Sequence, residues 1–156
     1  WFVKKNNIKL RDLGDIAVQT LTVGHAFGRL GCLAAGCCHG SSCDLPWAVK
    51  LNSSLVEESL RGVPIHPVQL YESLSLFALL VVLRFIYKRR SFSGQVMMIY
   101  FMAYSIIRSV TEMFRGDTVR GFVLGTSLST SQFISIFMFL GTLAYYAYLK
   151  SKPQSK

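Results

Sequence analysis

Four residues of one apolar run have the types and spacing of a charged active-site face. Tyr104, Arg108, Glu112 and Arg115 stand at i, i+4, i+8 and i+11 in and just beyond VMMIYFMAYSIIRSVTEMF, residues 96–114. At 3.6 residues per turn they share roughly one face of a helix, presenting a phenol, two guanidiniums and a carboxylate. Ionisable side chains at membrane depth cost several kcal/mol by most scales, so each is a functional hypothesis by default. The plainer reading is a salt bridge in which Glu112 neutralises Arg108.

A third guanidinium, Arg29, lies in the glycine-rich GHAFGRLG, residues 24–31, where small neighbours let a ligand or another helix approach the backbone. The planar fork of arginine stays charged in a low dielectric and takes two phosphate oxygens, so arginines on separate helices point to a buried anion. In a bilayer the commonest such anion is a phospholipid headgroup. Alternatively Arg29 snorkels to the interface. A further polar cluster, His66 to Glu72 in HPVQLYE, opens another apolar run with Pro67 near its first turn. Gln69 and Glu72, at i and i+3, either cap and orient that helix or, in the case of Glu72, support the arginines from across the bundle.

Cys32, Cys37, Cys38 and Cys43, with His39 beside them, have the residue types of a zinc site but lack its paired C-x₂₋₄-C spacing, and no metal or cofactor is expected. Disulfides, small packed residues and a catalytic thiol are the readings left open. His25, inside a helix, reads as a satisfied polar core residue.

The elements that must position these groups are membrane helices. The chain is 51% hydrophobic and 16% charged, against about 25% charged in soluble domains. Ten of its seventeen Lys and Arg fall in three places, residues 4–11, 88–90 and 150–156. Such segregation fits basic flanks facing anionic headgroups and the cytoplasm, and excludes a nucleic-acid-binding surface. Residues 68–87, 94–114 and 132–149 are each near the 20 residues needed to cross a hydrocarbon core. A less apolar segment, residues 15–35, reads as a helix packed on others through Gly24, Gly28 and Gly31.

With residues 4–11 cytoplasmic, four spans place all three basic clusters, and the C-terminus, on the same side. The opposite connections, 36–67 and 115–131, hold only Lys50, Arg61, Arg115 and Arg120 as cations, offset by Asp44, Glu57, Glu58 and Asp117. Turn formers such as Pro46, Gly62 and Pro64 predict a small structured outer cap over 36–67. The reading is one all-α polytopic membrane domain over 1–156, with a cytoplasmic tail at 150–156 that looks disordered. Trp1 opens a basic, loop-like stretch without signal-peptide features, so the chain reads as the C-terminal part of a longer protein.

The combination of GRLGC and GCCHG within residues 28–40, HPVQLYES at 66–73, AYSIIRSVTEMFRGD at 103–117 and SLSTSQ at 127–132 resembles the prolipoprotein diacylglyceryl transferase family. Order and spacing match along nearly the whole chain. The resemblance implies a seven-helix enzyme of the bacterial inner membrane with an outer cap, this chain supplying the last four helices. It implies transfer of the diacylglyceryl group of phosphatidylglycerol to the lipobox cysteine thiol of a prolipoprotein signal peptide, the first step of lipoprotein maturation, without a cofactor or metal. Arg29 looks like the family's GR-motif arginine, and Arg108 like the arginine that follows its essential tyrosine, here Tyr104. Glu112 falls on the family's acid.

The implied substrate-holding set is Arg29, Arg108, Arg115, Gly31, Gly40, His66, Gln69, Tyr71 and Glu72. Cys32, Ala35 and Cys37 depart from the family's usual Asn, Asn and Glu, while Gly40 keeps the pattern. The family's histidine base for the thiol would lie in a helix outside this chain, and His25 is not given that role. The competing readings are a membrane transporter or lipid-binding protein whose arginines hold an anion without chemistry, and an inactive relative of the transferases.

Overall fold

The computed structural model describes residues 2–6, 8–115 and 129–151. Asp117, Arg120, the 127–128 end of the serine-rich segment and the 152–156 part of the basic tail lie outside them. Among the described residues there are five α-helices: α1 (Phe2–Lys5), α2 (Leu10–Ala35), α3 (Val68–Arg89), α4 (Gln95–Glu112) and α5 (Thr130–Ser151). The four long helices match the four anticipated segments, α2 beginning five residues early.

Helices α3 and α5 are long and apolar enough to cross a membrane. Each turns large apolar side chains outward, including Leu74, Val81 and Phe85 on α3 and Ile134, Phe137 and Leu140 on α5. In water such faces would be an aggregation liability; in lipid they are solvated. Helices α2 and α4 are more polar because they carry the ionisable groups.

Helix α2 packs on α3 and α4, α3 on α4, and α4 on α5. One core gathers Val18, Leu79, Leu83, Val96 and Tyr100; a second, smaller one gathers Phe92, Met98 and Leu149. The packed stripe of α2 is Asp15, Val18, Thr22 and Ala26, a helical repeat of three and four residues. Gly24, Gly28 and Gly31 fall on the other side, where a Cβ would meet nothing within 4 Å outside the backbone of α2 itself among the described residues. The expected packing through these glycines is therefore not made within the described residues. Instead the close approach is at Ala26, whose carbonyl accepts a 3.0 Å hydrogen bond from Ser73 Oγ, and at Gly14, where a Cβ would meet Met97 Sδ at 2.6 Å.

The start of α4 is held from a distance. Gly94, its N-cap, has φ +92° and offers no side chain, so the first-turn N–H groups need an acceptor from elsewhere. Asp15 supplies it: Oδ2 accepts from Gly94 N and Oδ1 from Met97 N, both at 2.9 Å. Arg90 closes the arrangement at 2.9 Å from Asp15 and 3.0 Å from Asp12. A buried carboxylate at a helix N-terminus is also favoured by the macrodipole.

The 36–67 connection is structured. Strand β1 (Val49–Lys50) pairs antiparallel with β2 (Pro64–Ile65), Val49 opposite Ile65 and Lys50 opposite Pro64. A 3-10 turn, Glu58–Leu60, lies between them. Gly36 ends α2 in the left-handed region at φ +73°, where a side chain would be strained. The following residues run between two neighbours: Gly40 N and Cys43 N donate to the carbonyls of His66 and Pro64, and Ser41 N to that of Phe114. The segment thereby ties the starts and ends of three helices together.

Candidate active site

Glu72 is the hub. One turn into α3 and 1% exposed, its carboxylate lies 3.0 Å from Arg29 Nη2, 3.6 Å from His25 Nε2 and 3.9 Å from Arg108 Nη1. Arg108 is also 2.7 Å from Glu112, one turn along α4, and donates to Ser131 Oγ at 3.1 Å. Four helices thus contribute: His25 and Arg29 from α2, Glu72 from α3, Arg108 and Glu112 from α4, and Ser131 from α5. Tyr104 joins them, its ring 5.1 Å from that of His25 and its hydroxyl within electrostatic reach of Arg29, Arg108 and Glu72.

Of the two sequence readings of Glu72, the geometry matches support of the arginines from across the bundle. Such buried charges persist only when paired and hydrogen-bonded. Both arginine side chains are largely buried, so Arg29 does not snorkel out. Its Nε is buried without a hydrogen-bond acceptor among the described residues. A donor left over in a charged pocket is one a ligand oxygen can use.

Arg115 is placed differently from the expected helical stripe. Helix α4 stops at Glu112, because Phe114 and Arg115 are drawn into pairing with Ser41 and Gly40. Arg115 reaches the same neighbourhood from that bridge: it hydrogen-bonds the Cys38 side chain and interacts with Arg29. Burial raises the Cys38 thiol, but the hydrogen bond and charge of Arg115 outweigh it and hold the pKa below the usual thiol range. Burial and hydrogen bonding to Cys32 push Cys37 the other way, up to about 11.

The HPVQLYE residues divide between two places. Gln69 is buried, and its Nε2 donates to the Cys37 carbonyl at 2.7 Å, so it anchors the cysteine segment to α3. His66 and Tyr71 leave the charged cluster and form a neighbouring one. Trp47 Nε1 donates to Tyr71 Oη at 2.8 Å, and the His66 ring lies 5.3 Å from Phe114. These residues wall an apolar cleft of about 530 Å³ between the 36–67 connection and the end of α4. Gly40 packs under this wall, where a Cβ would come within 2.6 Å of the His66 carbonyl. A Cβ at Gly31 would meet nothing within 4 Å outside its own helix backbone among the described residues.

Sequence reasoning left two residues outside the site, reading His25 as a satisfied polar core residue and giving Asp15 no role. His25 precedes Arg29 by one helical turn, and that i, i+4 spacing was a usable signal that it shares the arginine's face. Asp15 carried no local signal, since its partners are 79 and 82 residues away.

Comparison with known proteins agrees with the motifs. The family model for prolipoprotein diacylglyceryl transferase matches residues 1–148. Among relatives, the phosphatidylglycerol--prolipoprotein diacylglyceryl transferase of Clostridium tetani is 37% identical over 136 residues, covering 87% of this chain and 53% of its own length. Enzyme 2 of that name from Clostridium perfringens is 36% identical over 152 residues, covering 97% and 57%. The Clostridioides difficile protein is 31% identical over 154 residues, covering 99% and 57%. The chain therefore spans about half the length of the curated relatives it matches. With the family model covering nearly all of it, and with the arginines, Tyr104 and Glu72 converging in one buried site, the chain belongs to the prolipoprotein diacylglyceryl transferase family.

Proposed function

We propose that this chain forms the phosphate-holding side of an enzyme that moves the diacylglyceryl group of phosphatidylglycerol onto the lipobox cysteine of a prolipoprotein. The observation that carries the reading is Arg29 Nε, a buried N–H with no hydrogen-bond acceptor among the described residues, in a pocket where Arg29 and Arg108 converge from separate helices on Glu72. A phosphodiester oxygen is an acceptor that such a donor can hold.

The reaction forms a carbon–sulfur bond at the glycerol carbon and breaks that carbon's bond to phosphate oxygen. Glycerol phosphate leaves with an added negative charge, and the thiol proton passes to a base. Donors already aimed at the leaving oxygen stabilise that charge without reorganising, an effect worth about 3–4 kcal/mol per group in comparable sites. Arg29 and Arg108 have this role; Glu72 and Glu112 fix their rotamers; Tyr104 and Ser131 complete the wall. The apolar cleft beside His66 and Tyr71, continuous with a bilayer, suits an acyl chain or the apolar part of a signal peptide. The base for the thiol is not assigned within this chain.

The same proposal places the four long helices as the last four of a seven-helix bundle in the bacterial inner membrane. The 36–67 connection is then outside and the C-terminus in the cytoplasm, following the basic clusters. The test is to give the intact protein labelled phosphatidylglycerol and a lipobox peptide. Wild type should yield the thioether and Arg108→Ala should lose at least about 100-fold in rate. Lipid binding without any thioether from wild type would leave an anion-binding protein and refute the transferase reading.

A further inference from the structure

We propose that Cys32, Cys37 and Cys38 form a three-thiolate site for a thiophilic metal ion of the Zn²⁺ class at the end of α2. Their sulfurs all lie within 4.8 Å of one another, and all four cysteines of the chain are free thiols. Zn–S bonds of about 2.3 Å in tetrahedral geometry put sulfurs about 3.8 Å apart. Closing the remaining gap asks no more than about 1 Å, within reach of small χ1 adjustments.

The backbone is arranged to bring the three together. Gly36, left-handed at φ +73°, turns the chain back over the last helical turn, so that Cys37 N donates to the Cys32 carbonyl at 3.0 Å. Cys38 is the one non-glycine among the described residues at positive φ, +59°. Such a conformation is uncommon outside Gly, Asn and Asp and marks positions where the surroundings impose it. Gln69 holds the Cys37 carbonyl from α3. The C-x₄-C-C spacing argued against zinc because paired ligands usually sit two to four residues apart; the left-handed cap makes up the difference.

Charge supports the assignment. Binding a divalent ion releases the three thiol protons and leaves a net single negative charge on the site. Arg115, which lies beside Cys38, favours the thiolate form there. A disulfide would use two of the sulfurs and leave the third stranded, whereas a metal uses all three with water as a fourth ligand. No oxidant or reductant is involved. Such an ion would staple α2 to the segment that carries Gly40 and pairs with His66, giving the site a rigid border.

The test uses the intact protein purified in detergent under reducing conditions, with Zn²⁺ and Cd²⁺ as the probes. One equivalent of Cd²⁺ should produce a sulfur-to-metal charge-transfer band that Zn²⁺ displaces. With Zn²⁺ present, cysteines reactive to maleimide among these positions should fall from four to one, Cys43 alone, and a chelator should restore the rest. Cys37→Ser should abolish the band and Cys43→Ser should keep it. The wild-type labelling pattern needs no variant to fold: protection of none of the three, or of Cys43 equally with them, overturns the proposal.

Discussion

Replacing Asp15 by alanine tests whether one buried carboxylate holds α2 and α4 together. Asp15 is fully buried and accepts from Gly94 N, Met97 N and Arg90 Nη1, each at 2.9 Å. Arg90 keeps a second partner in Asp12 at 3.0 Å, so its loss from Asp15 weighs little. The two backbone N–H groups have no such reserve. Hydrogen bonds to a charged acceptor contribute about 1.5–3 kcal/mol each, giving about 3–6 kcal/mol for the pair, with the lower end applying where water reaches the vacated space. Asp15→Ala should therefore destabilise by about 3 kcal/mol or more. Asp15→Asn, which keeps one acceptor oxygen and turns an amide N–H₂ toward the second donor, should lose a similar amount from the unpaired donor and the absent charge. Measuring reversible unfolding of the intact protein in mixed micelles by titration with a denaturing detergent gives both values. If Asp15→Ala stays within about 0.5 kcal/mol of wild type, the scale of an inert surface change, the carboxylate does not anchor α4 and the reasoning fails.

Glu72→Gln keeps the side-chain volume but leaves Arg29 and Arg108 without their shared counter-charge; the same unfolding titration should show a loss of about 3–5 kcal/mol. An unchanged midpoint would mean the arginines do not depend on Glu72. Gly40→Ala puts a methyl 2.6 Å from the His66 carbonyl and 2.7 Å from Val68 Cγ2, so it should cost about 1–3 kcal/mol as overpacking, read as a lower midpoint in the same titration.

Helices α3 and α5 were legible because each is a long apolar run closed by basic residues, and a chain in lipid must satisfy its backbone internally. Chemistry was legible where it followed helical spacing. Tyr104, Arg108 and Glu112 share a face because 3.6 residues make a turn, and Arg108 does meet Glu112. The same rule failed at Arg115, where strand-like pairing of Phe114 and Arg115 with Ser41 and Gly40 ends the helix first. Small residues such as Gly24, Gly28 and Gly31 mark a place where helices can approach, and no such neighbour is among the described residues.

By itself the sequence determined the apolar spans, the basic flanks, the motifs and hence the family, all of which depend on residue type and local period. Which groups meet was decided by the tertiary structure. Glu72 was equally well placed to cap its own helix until α2 and α4 packed beside α3 and set Arg29, His25 and Arg108 around it. Asp15 showed no partner until the turn before α4 came to rest on α2, and the three cysteines showed no site until a left-handed cap folded the chain back. The physical reason is common to all three. A buried charge is tolerated only with its partners in place and thiols make a site only when brought together, and those partners come from segments whose approach is set by packing, which no local pattern encodes.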